Sequence, residues 1–347
     1  MSEDDARRGA SMRIDDNAKL ECGEYDASNA RFYFTFEYDD NGNLYMKNLH
    51  TGTYLDEANA HNSDVQVGAD AEAITDAKLI TIKTLGTTSG GAVVVGIVPT
   101  GGAMLNCTAK TGAVKAWANA DVNKASAWVI SEVEDLSQIA HTVTMSATFS
   151  SVMLGYNATV PAGVEAYNAE GVEDGYVSLV EVARVGGVIP ANTPVILYRT
   201  DDTKEKIFTY TENDATNIPY ETVLGGSLYQ KFVECDGDKR YYKLMIMSGE
   251  AKMYWMYKEF DAAGNKVGEN NGGHIKCSAN KIYMALPSQQ QAASYGMRFV
   301  EPGTTGAQEV KTENGEVKTI YDLQGRKLTE ITEPGFYIVN GKKVYVK

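Results

Sequence analysis

The side chains best suited to chemistry are scattered along this sequence. The four histidines, His50, His61, His141 and His274, occur singly, without the H-x-x-x-H or H-E-x-x-H spacing that brings two imidazoles onto one metal ion. We expect them to lie in solvated loops. The sequence contains no G-x-S-x-G, P-loop or dinucleotide-binding motif. It therefore predicts no catalytic residue, no metal ligand and no cofactor, and it indicates a protein that is not an enzyme.

Carboxylates are abundant, with 46 aspartates and glutamates, so their abundance alone does not identify a glycosidase pair. Residues 39–43, DDNGN, carry the alternating acidic and amide side chains of a calcium loop. They lack the glutamate that such a loop needs at its twelfth position, and they lie between two predicted strands. We therefore predict a tight hairpin turn at residues 39–43.

The four cysteines are far apart and show no C-x-x-C spacing, which argues against a zinc site or a redox motif. Two arrangements remain open from the sequence. Cys22, Cys107, Cys235 and Cys277 are all free buried thiols, or Cys235 and Cys277 form a bridge, since both flank the same predicted sheet.

The composition indicates an all-β chain. Its 347 residues include 21 tyrosines and 33 glycines, and few windows have helical periodicity. The net charge of -14 argues against a nucleic-acid partner. No apolar run approaches the roughly 20 residues of a membrane span, so we expect none. The start of the chain lacks the basic and apolar regions of a signal peptide.

One strand pattern recurs three times in the first part of the chain. It covers residues 30–37, 77–83 and 125–131, with Phe34, Ile80 and Trp128 at equivalent positions. The spacing from Phe34 to Ile80 and from Ile80 to Trp128 is typical of repeated supersecondary units. Each copy is followed by one or two further short strands, so the pattern predicts a repeated β-unit.

This repeated region resembles the β-trefoil modules, ricin-B-like in the broad sense, of secreted Bacteroidetes hydrolases. The motifs that carry the resemblance are LYMKNLHTGTYL at 44–55 and ASAWVISEV at 125–133. The resemblance implies a partial β-trefoil over residues 29–136, with the first lobe reduced to its closing strand. Residues 1–28 are then either a disordered segment or a degenerate lobe, and the chain would begin inside a lobe.

A trefoil lobe binds sugar with an aromatic ring as a stacking platform and a polar side chain beside it. The resemblance implies that Trp128 belongs to the core and is not such a platform. The lectin Q-x-W signature lacks its glutamine here. The glycan-binding candidates in the lobes are Tyr45, Tyr54, Asp56, Asn106, Trp117 and Asn119.

A second module follows, and its sequence over residues 160–199, with IPANTPVIL at 189–197, resembles a recurrent surface module of Bacteroidetes proteins. Regularly spaced strands predict a β-sandwich or jelly roll over residues 139–300. Two strands rich in methionine and aromatic residues are expected to pack in its core. They contain Met245, Met247, Met253, Trp255, Met256 and Tyr257.

Residues 301–318 are predicted to be a linker, and residues 319–347 a small C-terminal β-sandwich tail. The motifs YDLQGRK, GFYIV and NGKKV in this tail resemble those of the type IX secretion sorting domain. The resemblance implies that the tail, from Ile320 to Lys347, is recognised by secretion machinery. It also implies an extracellular or cell-surface protein, although no signal peptide is visible in this chain.

These observations favour a non-catalytic, exported binding or adhesion region that targets carbohydrate. Two alternatives stay open. The chain is the C-terminal accessory part of a larger secreted hydrolase, a peptidase or a glycoside hydrolase, whose catalytic domain lies upstream. Alternatively, it is a structural surface subunit that self-associates through exposed strand edges.

Overall fold

The computed structural model describes two successive β-modules and four strands of the tail. The described residues are 10–56, 68–101, 103–107, 112–118, 124–215, 222–269, 271–290, 292–300, 320–322, 327–328, 335–339 and 342–346. Within these ranges the only helical segments are three-residue 3-10 turns, so the all-β prediction is confirmed. No helix in the described ranges has the length and apolar character needed to cross a membrane.

The first module consists of short antiparallel strands. They are β1 (Ala10–Ile14), β2 (Leu20–Glu24), β3 (Phe34–Tyr38), β4 (Leu44–Asn48), β5 (Ile80–Thr87), β6 (Val93–Pro99), β7 (Ala103–Cys107) and β8 (Gly112–Ala118). One sheet has the order β1-β2-β8-β7, while β3 pairs with β4 and β5 with β6. Ile14, Leu20, Leu55 and Leu105 are fully buried in the core that these strands share. Residues 10–24 therefore contribute a hairpin to this core.

The three copies of the repeated sequence pattern adopt related local structures. A 3-10 turn lies at Ala30–Phe32, at Ile74–Asp76 and at Lys124–Ser126. The first and second turns lead into β3 and β5, and the third leads to Trp128, which forms an isolated bridge with Val95 of β6. The repetition found in the sequence thus corresponds to a repeated turn followed by an extended segment.

The cysteine arrangement differs from both sequence-based alternatives. A disulfide joins Cys22 in β2 to Cys107 in β7, while Cys235 and Cys277 are free. Strands β2 and β7 both flank β8 in the same sheet, which brings cysteines that are 85 residues apart into contact. This pair has no local signal in the sequence, because neither cysteine has another cysteine near it in the chain.

The second module is larger. Its strands are β9 (Ala140–Thr144), β10 (Phe149–Val152), β11 (Ala158–Thr159), β12 (Val164–Glu173), β13 (Tyr176–Ala183), β14 (Val188–Ile189), β15 (Val195–Arg199), β16 (Glu205–Tyr210), β17 (Leu224–Ser227), β18 (Lys231–Glu234), β19 (Lys239–Met247), β20 (Glu250–Trp255), β21 (His274–Cys277), β22 (Lys281–Pro287) and β23 (Ser294–Val300). Nine of them form one sheet in the order β10-β15-β12-β13-β23-β20-β19-β22-β17. A four-stranded sheet, β14-β11-β16-β9, and the pair β18-β21 complete the module.

The nine-stranded sheet combines two hairpin systems through one parallel contact. Strand β13 runs parallel to β23, with Leu179 opposite Phe299, whereas the other pairs in the sheet are antiparallel. The apolar side chains on one face, among them Ile196, Tyr242 and Met284, are fully buried in a continuous core. The methionine-rich pair β19–β20 is divided: Met253 and Met256 are buried, whereas Met247 and Tyr257 are exposed at its ends.

The two modules pack directly against each other. Ala30, Phe32 and Tyr33 of the first module belong to the same buried cluster as Ile139 and Phe208 of the second. The amide of Ala140 donates to the carbonyl of Ser28, and that of Gln230 donates to the carbonyl of Asp16. A salt bridge of 2.8 Å joins Lys231 to Glu72 across the junction.

The tail contains β24 (Ile320–Asp322), β25 (Lys327–Leu328), β26 (Gly335–Val339) and β27 (Lys342–Val346). They form an antiparallel sheet in the order β25-β24-β26-β27. The predicted linker at 301–318 lies outside the described residues.

Candidate functional site

Four aromatic side chains from separate strands of the nine-stranded sheet form a cluster at one end of its core. We call Phe149, Tyr167, Tyr198 and Phe299 the aromatic cluster. The Phe299 ring centroid lies 4.8 Å from that of Tyr167, 4.8 Å from that of Tyr198 and 6.0 Å from that of Phe149. Phe149 and Tyr198 are cross-strand partners in β10 and β15, with ring centroids 5.3 Å apart. The parallel pairing of β23 with β13 is what aligns Phe299 with this sheet.

One ring of the aromatic cluster is buried and another is exposed. Tyr167 is 6% exposed, whereas Phe299 is 45% exposed. The Tyr167 hydroxyl donates to Glu165, with 2.5 Å between the oxygens. Burial first, and then this hydrogen bond, raise the pKa of Tyr167 above its ordinary value, so the hydroxyl keeps its proton at neutral pH.

Carboxylates lie next to this aromatic surface. Glu165 follows directly after Val164 at the start of β12 and is half-buried. Glu181 lies opposite Tyr167 across the β12–β13 ladder and accepts a 2.6 Å hydrogen bond from Arg184. An exposed ring with carboxylates nearby offers an apolar stacking surface beside hydrogen-bond acceptors, which suits the C–H face and hydroxyl rim of a sugar ring.

A second candidate site is a cavity of about 450 Å³ in the first module, which we call the first-module cavity. Its walls include β1, β3 and the extended segment that follows the third 3-10 turn. Six aromatic residues line it: Tyr25, Phe32, Tyr33, Phe34, Phe36 and Trp128. The cavity is therefore mainly apolar.

The polar side-chain groups of the tyrosines and the tryptophan in this cavity are engaged in hydrogen bonds. The hydroxyls of Tyr25 and Tyr33 lie 3.0 Å apart, and Tyr33 donates to the carbonyl of Ala27 at 2.6 Å. The Trp128 indole donates to the carbonyl of Leu105 at 2.9 Å. Trp128 is thus held against the core, and its partly buried ring also lines the cavity.

The structure brings two predicted glycan-binding residues together. The rings of Tyr45 and Tyr54 meet edge to face with centroids 6.4 Å apart, and both residues are buried. The Tyr54 hydroxyl donates to Glu37 at 2.6 Å, and the Lys47 ammonium lies 4.9 Å from the Tyr54 ring centroid. Their rings pack against each other and against Ala71, so little ring surface faces solvent.

The other predicted glycan-binding residues lie elsewhere. Asn106 is buried in β7 and donates to the Ser126 hydroxyl at 2.9 Å. Asp56 is half-buried, and its main-chain amide donates to the carbonyl of Gly68. The structure describes the main chain of Trp117, which lies in β8 opposite Met104. Asn119 lies outside the described residues.

The histidines are not all solvated, contrary to the sequence-based expectation. His50 is 5% exposed, because residues 154–156 and 228 of the second module cover the turn that holds it. Its amide donates to the Asn48 side chain at 2.9 Å. His141 lies in β9 and His274 in β21, each half-buried, and His61 is outside the described residues. The error arose because the covering residues are distant in sequence.

In the described ranges, no group of three or more histidine, cysteine, aspartate and glutamate side chains is arranged to hold a metal ion. Comparisons with protein-family models, with curated proteins and with solved structures gave no match. The function is therefore inferred from the geometry of the chain itself. The aromatic cluster has no signal in the sequence, because its four members belong to four different strands.

Proposed function

We propose that this chain is a non-catalytic binding region of an exported protein and that it targets carbohydrate through the second module. The observation that carries the proposal is the aromatic cluster, in which Phe299 is half exposed against the rings of Tyr167 and Tyr198, and the Tyr167 hydroxyl donates to the carboxylate of Glu165. Stacking a sugar on Phe299 would cost little side-chain conformational entropy, because the neighbouring rings already hold Phe299 in place.

Export is supported by the disulfide between Cys22 and Cys107, since such bonds persist mainly in oxidising compartments. We assign the first module to a three-lobed β-trefoil arrangement. The support for this assignment is the recurrence of a 3-10 turn and an extended segment at three positions. The tail, with its four-stranded antiparallel sheet, would serve as the address recognised by secretion machinery.

A glycan array probed with the full chain tests the proposal. We expect Phe299→Ala to weaken binding by about tenfold, because covering a phenyl ring contributes about 1.5 kcal/mol or more. Tyr176→Ala is the matched control, since Tyr176 is a similarly exposed aromatic residue on β13 of the same sheet.

Two further variants locate the sugar. Trp117→Ala tests the lobe residue that the sequence favours, and a chain ending near Val300 tests the tail. Loss of binding in Trp117→Ala but not in Phe299→Ala would move the sugar site to the first module. A blank array from folded protein would refute carbohydrate targeting.

A structural surface subunit is the second candidate function. It is favoured by the edge position of several strands, including β17 in the nine-stranded sheet and β27 in the tail sheet. Exposed strand edges are sites where a second chain adds a strand. Sedimentation that shows concentration-dependent self-association, with no glycan binding, would favour this function over carbohydrate targeting.

A further inference from the structure

One wall of the first-module cavity is an open strand edge in β3. Among the described strands, β3 pairs only with β4, on one of its two sides. The amide of Leu49 donates to the carbonyl of Tyr33, and that of Asp39 donates to the carbonyl of Asn43, which places the odd-numbered residues of β3 in the hydrogen-bonded pairs. In an antiparallel ladder the residues between them direct their main-chain groups to the other side. Phe34 and Phe36, which both line the cavity, therefore present unpaired N–H and C=O groups on that side.

A second open edge lines the cavity beside Trp128. Trp128 and Val95 exchange two main-chain hydrogen bonds of 2.8 Å. By the same alternation, the main-chain groups of Ala127 and Val129 point away from β6, and both residues line the cavity. Residues 129–135 make no main-chain hydrogen bond to any other main-chain group in the described part of the chain. The main chain of this segment is therefore unpaired within the described residues.

The cavity that these edges line is suited to an additional β-strand. Its floor is apolar and aromatic, with Met46, Ile97 and Trp128 among the lining residues. Main-chain donors and acceptors on both walls have no partner from the described chain. An extended peptide would bond to both edges and turn alternate side chains onto the aromatic floor.

Negative charges beside the first-module cavity indicate which side chains its occupant would carry. Val133 lines the cavity, while its neighbours Glu132 and Glu134 are exposed and do not line it. No salt bridge involves these two glutamates in the described residues. Cross-strand neighbours share a face of a sheet, so a partner strand would place basic side chains opposite the glutamates and apolar ones toward the floor.

We propose that the first-module cavity is an acceptor groove for one extended strand of a partner protein, with apolar residues at alternate positions and lysine or arginine between them. The groove is distinct from the aromatic cluster, so this partner is additional to the carbohydrate. The nine residues before β1, MSEDDARRG, contain no apolar alternation, so their sequence does not match the strand that the groove requires.

Fluorescence polarisation with a labelled Lys-Val-Lys-Val-Lys-Val-Lys peptide and the full oxidised chain tests the proposal. We expect binding that falls at least tenfold for the same peptide with alternate amides N-methylated, because strand addition needs those amides. A peptide of the same composition with lysines and valines in separate blocks should bind equally poorly. Equal binding of all three peptides would overturn the proposal.

A charge-reversal pair tests the acidic wall. Glu132→Lys combined with Glu134→Lys should weaken the basic peptide about tenfold and strengthen a Glu-Val-Glu-Val-Glu-Val-Glu peptide about tenfold. Asp202→Lys combined with Glu212→Lys changes the net charge equally at exposed positions of the second module and should change neither. Equal effects of the two pairs would show that long-range electrostatic attraction alone binds the peptide, and would overturn the proposal.

Three other outcomes are informative. Phe299→Ala should leave peptide binding unchanged, which separates this groove from the carbohydrate site. Peptide binding that appears only in a chain beginning at Ala10 would assign the groove to the protein's own first residues and overturn the partner. If the chain self-associates and the basic peptide abolishes this association, the occupant of the groove is a second copy of this chain. That outcome would also overturn the proposal of a partner protein.

Discussion

Asp174 and Gly175 form the two-residue turn between β12 and β13, with φ angles of 51° and 82°. Two successive left-handed residues are typical of the type I′ turn, which favours Asp-Gly. The residues VEDGYV carry this hairpin signal, which is not among the turns predicted from the sequence. The turn sets the register of the longest strand pair, which carries Tyr167 of the aromatic cluster.

We predict that Gly175→Ala lowers the free energy of unfolding by about 1 kcal/mol, because a Cβ is disfavoured in the left-handed region. No atom lies within 4 Å of the added methyl, so the loss would come from the backbone alone. Gly171→Ala in β12 is the matched control, since it too meets no atom and has no left-handed φ. Urea unfolding measures both. Equal losses in the two variants would contradict the conformational explanation.

At the scale of elements, the Cys22–Cys107 bond ties the β1–β2 hairpin to β7. It closes a loop of 85 residues, which restricts the unfolded chain. The first module has only short strands and a small core, so this restriction matters for its stability.

We predict that Cys22→Ser lowers the free energy of unfolding of the first module by about 2–4 kcal/mol. A reducing agent should destabilise the parent chain by a similar amount and leave the variant unchanged. Cys235→Ser, at a free and half-buried cysteine, is the control and should respond to the reducing agent as the parent does. Calorimetry of the three proteins, each with and without the reducing agent, is the measurement. A parent chain insensitive to reduction would be evidence against a stabilising bond.

At the scale of the whole molecule, two histidines lie at the junction of the modules. Burial lowers the pKa of His50 to about 3 and that of His141 to about 4. The nearby charges are Arg31 and Asp16 for His50, and Lys281 and Arg31 for His141. Both imidazoles are therefore neutral in the folded chain at pH 5, whereas in the unfolded chain they are protonated, with a pKa of about 6.5.

Since the unfolded chain binds more protons in this range, stability is fully present above about pH 6.5 and is lost as the pH falls. We predict a loss of up to about 1.4 kcal/mol per pH unit per histidine between about pH 6.5 and 4.5. Glu37 and Asp201 have lowered pKa values and titrate below this window. Melting temperatures at constant ionic strength measure the effect. His50→Gln should flatten the dependence, and an unchanged slope in this variant would refute the assignment to His50.

Features that depend on neighbours in the chain could be predicted from the sequence. Alternation and turn residues specified the all-β class, and the predicted turn at 39–43 is confirmed: Asp39 accepts from the amides of Asn41 and Asn43 between β3 and β4. The repeated pattern likewise corresponds to repeated local structure. These features follow from backbone sterics and side-chain spacing, which act over a few residues.

Contacts between residues that are distant in the chain could not be predicted and are seen only in the folded structure. Phe299 joins Tyr167 and Tyr198 because β23 aligns parallel to β13, and Cys22 reaches Cys107 because β2 and β7 flank β8. His50 is buried by the second module, and the edge of β3 stays open because no described strand pairs with it. Sheet order and module packing depend on the total apolar surface that the elements bury together. That sum is not visible in the spacing of any single segment.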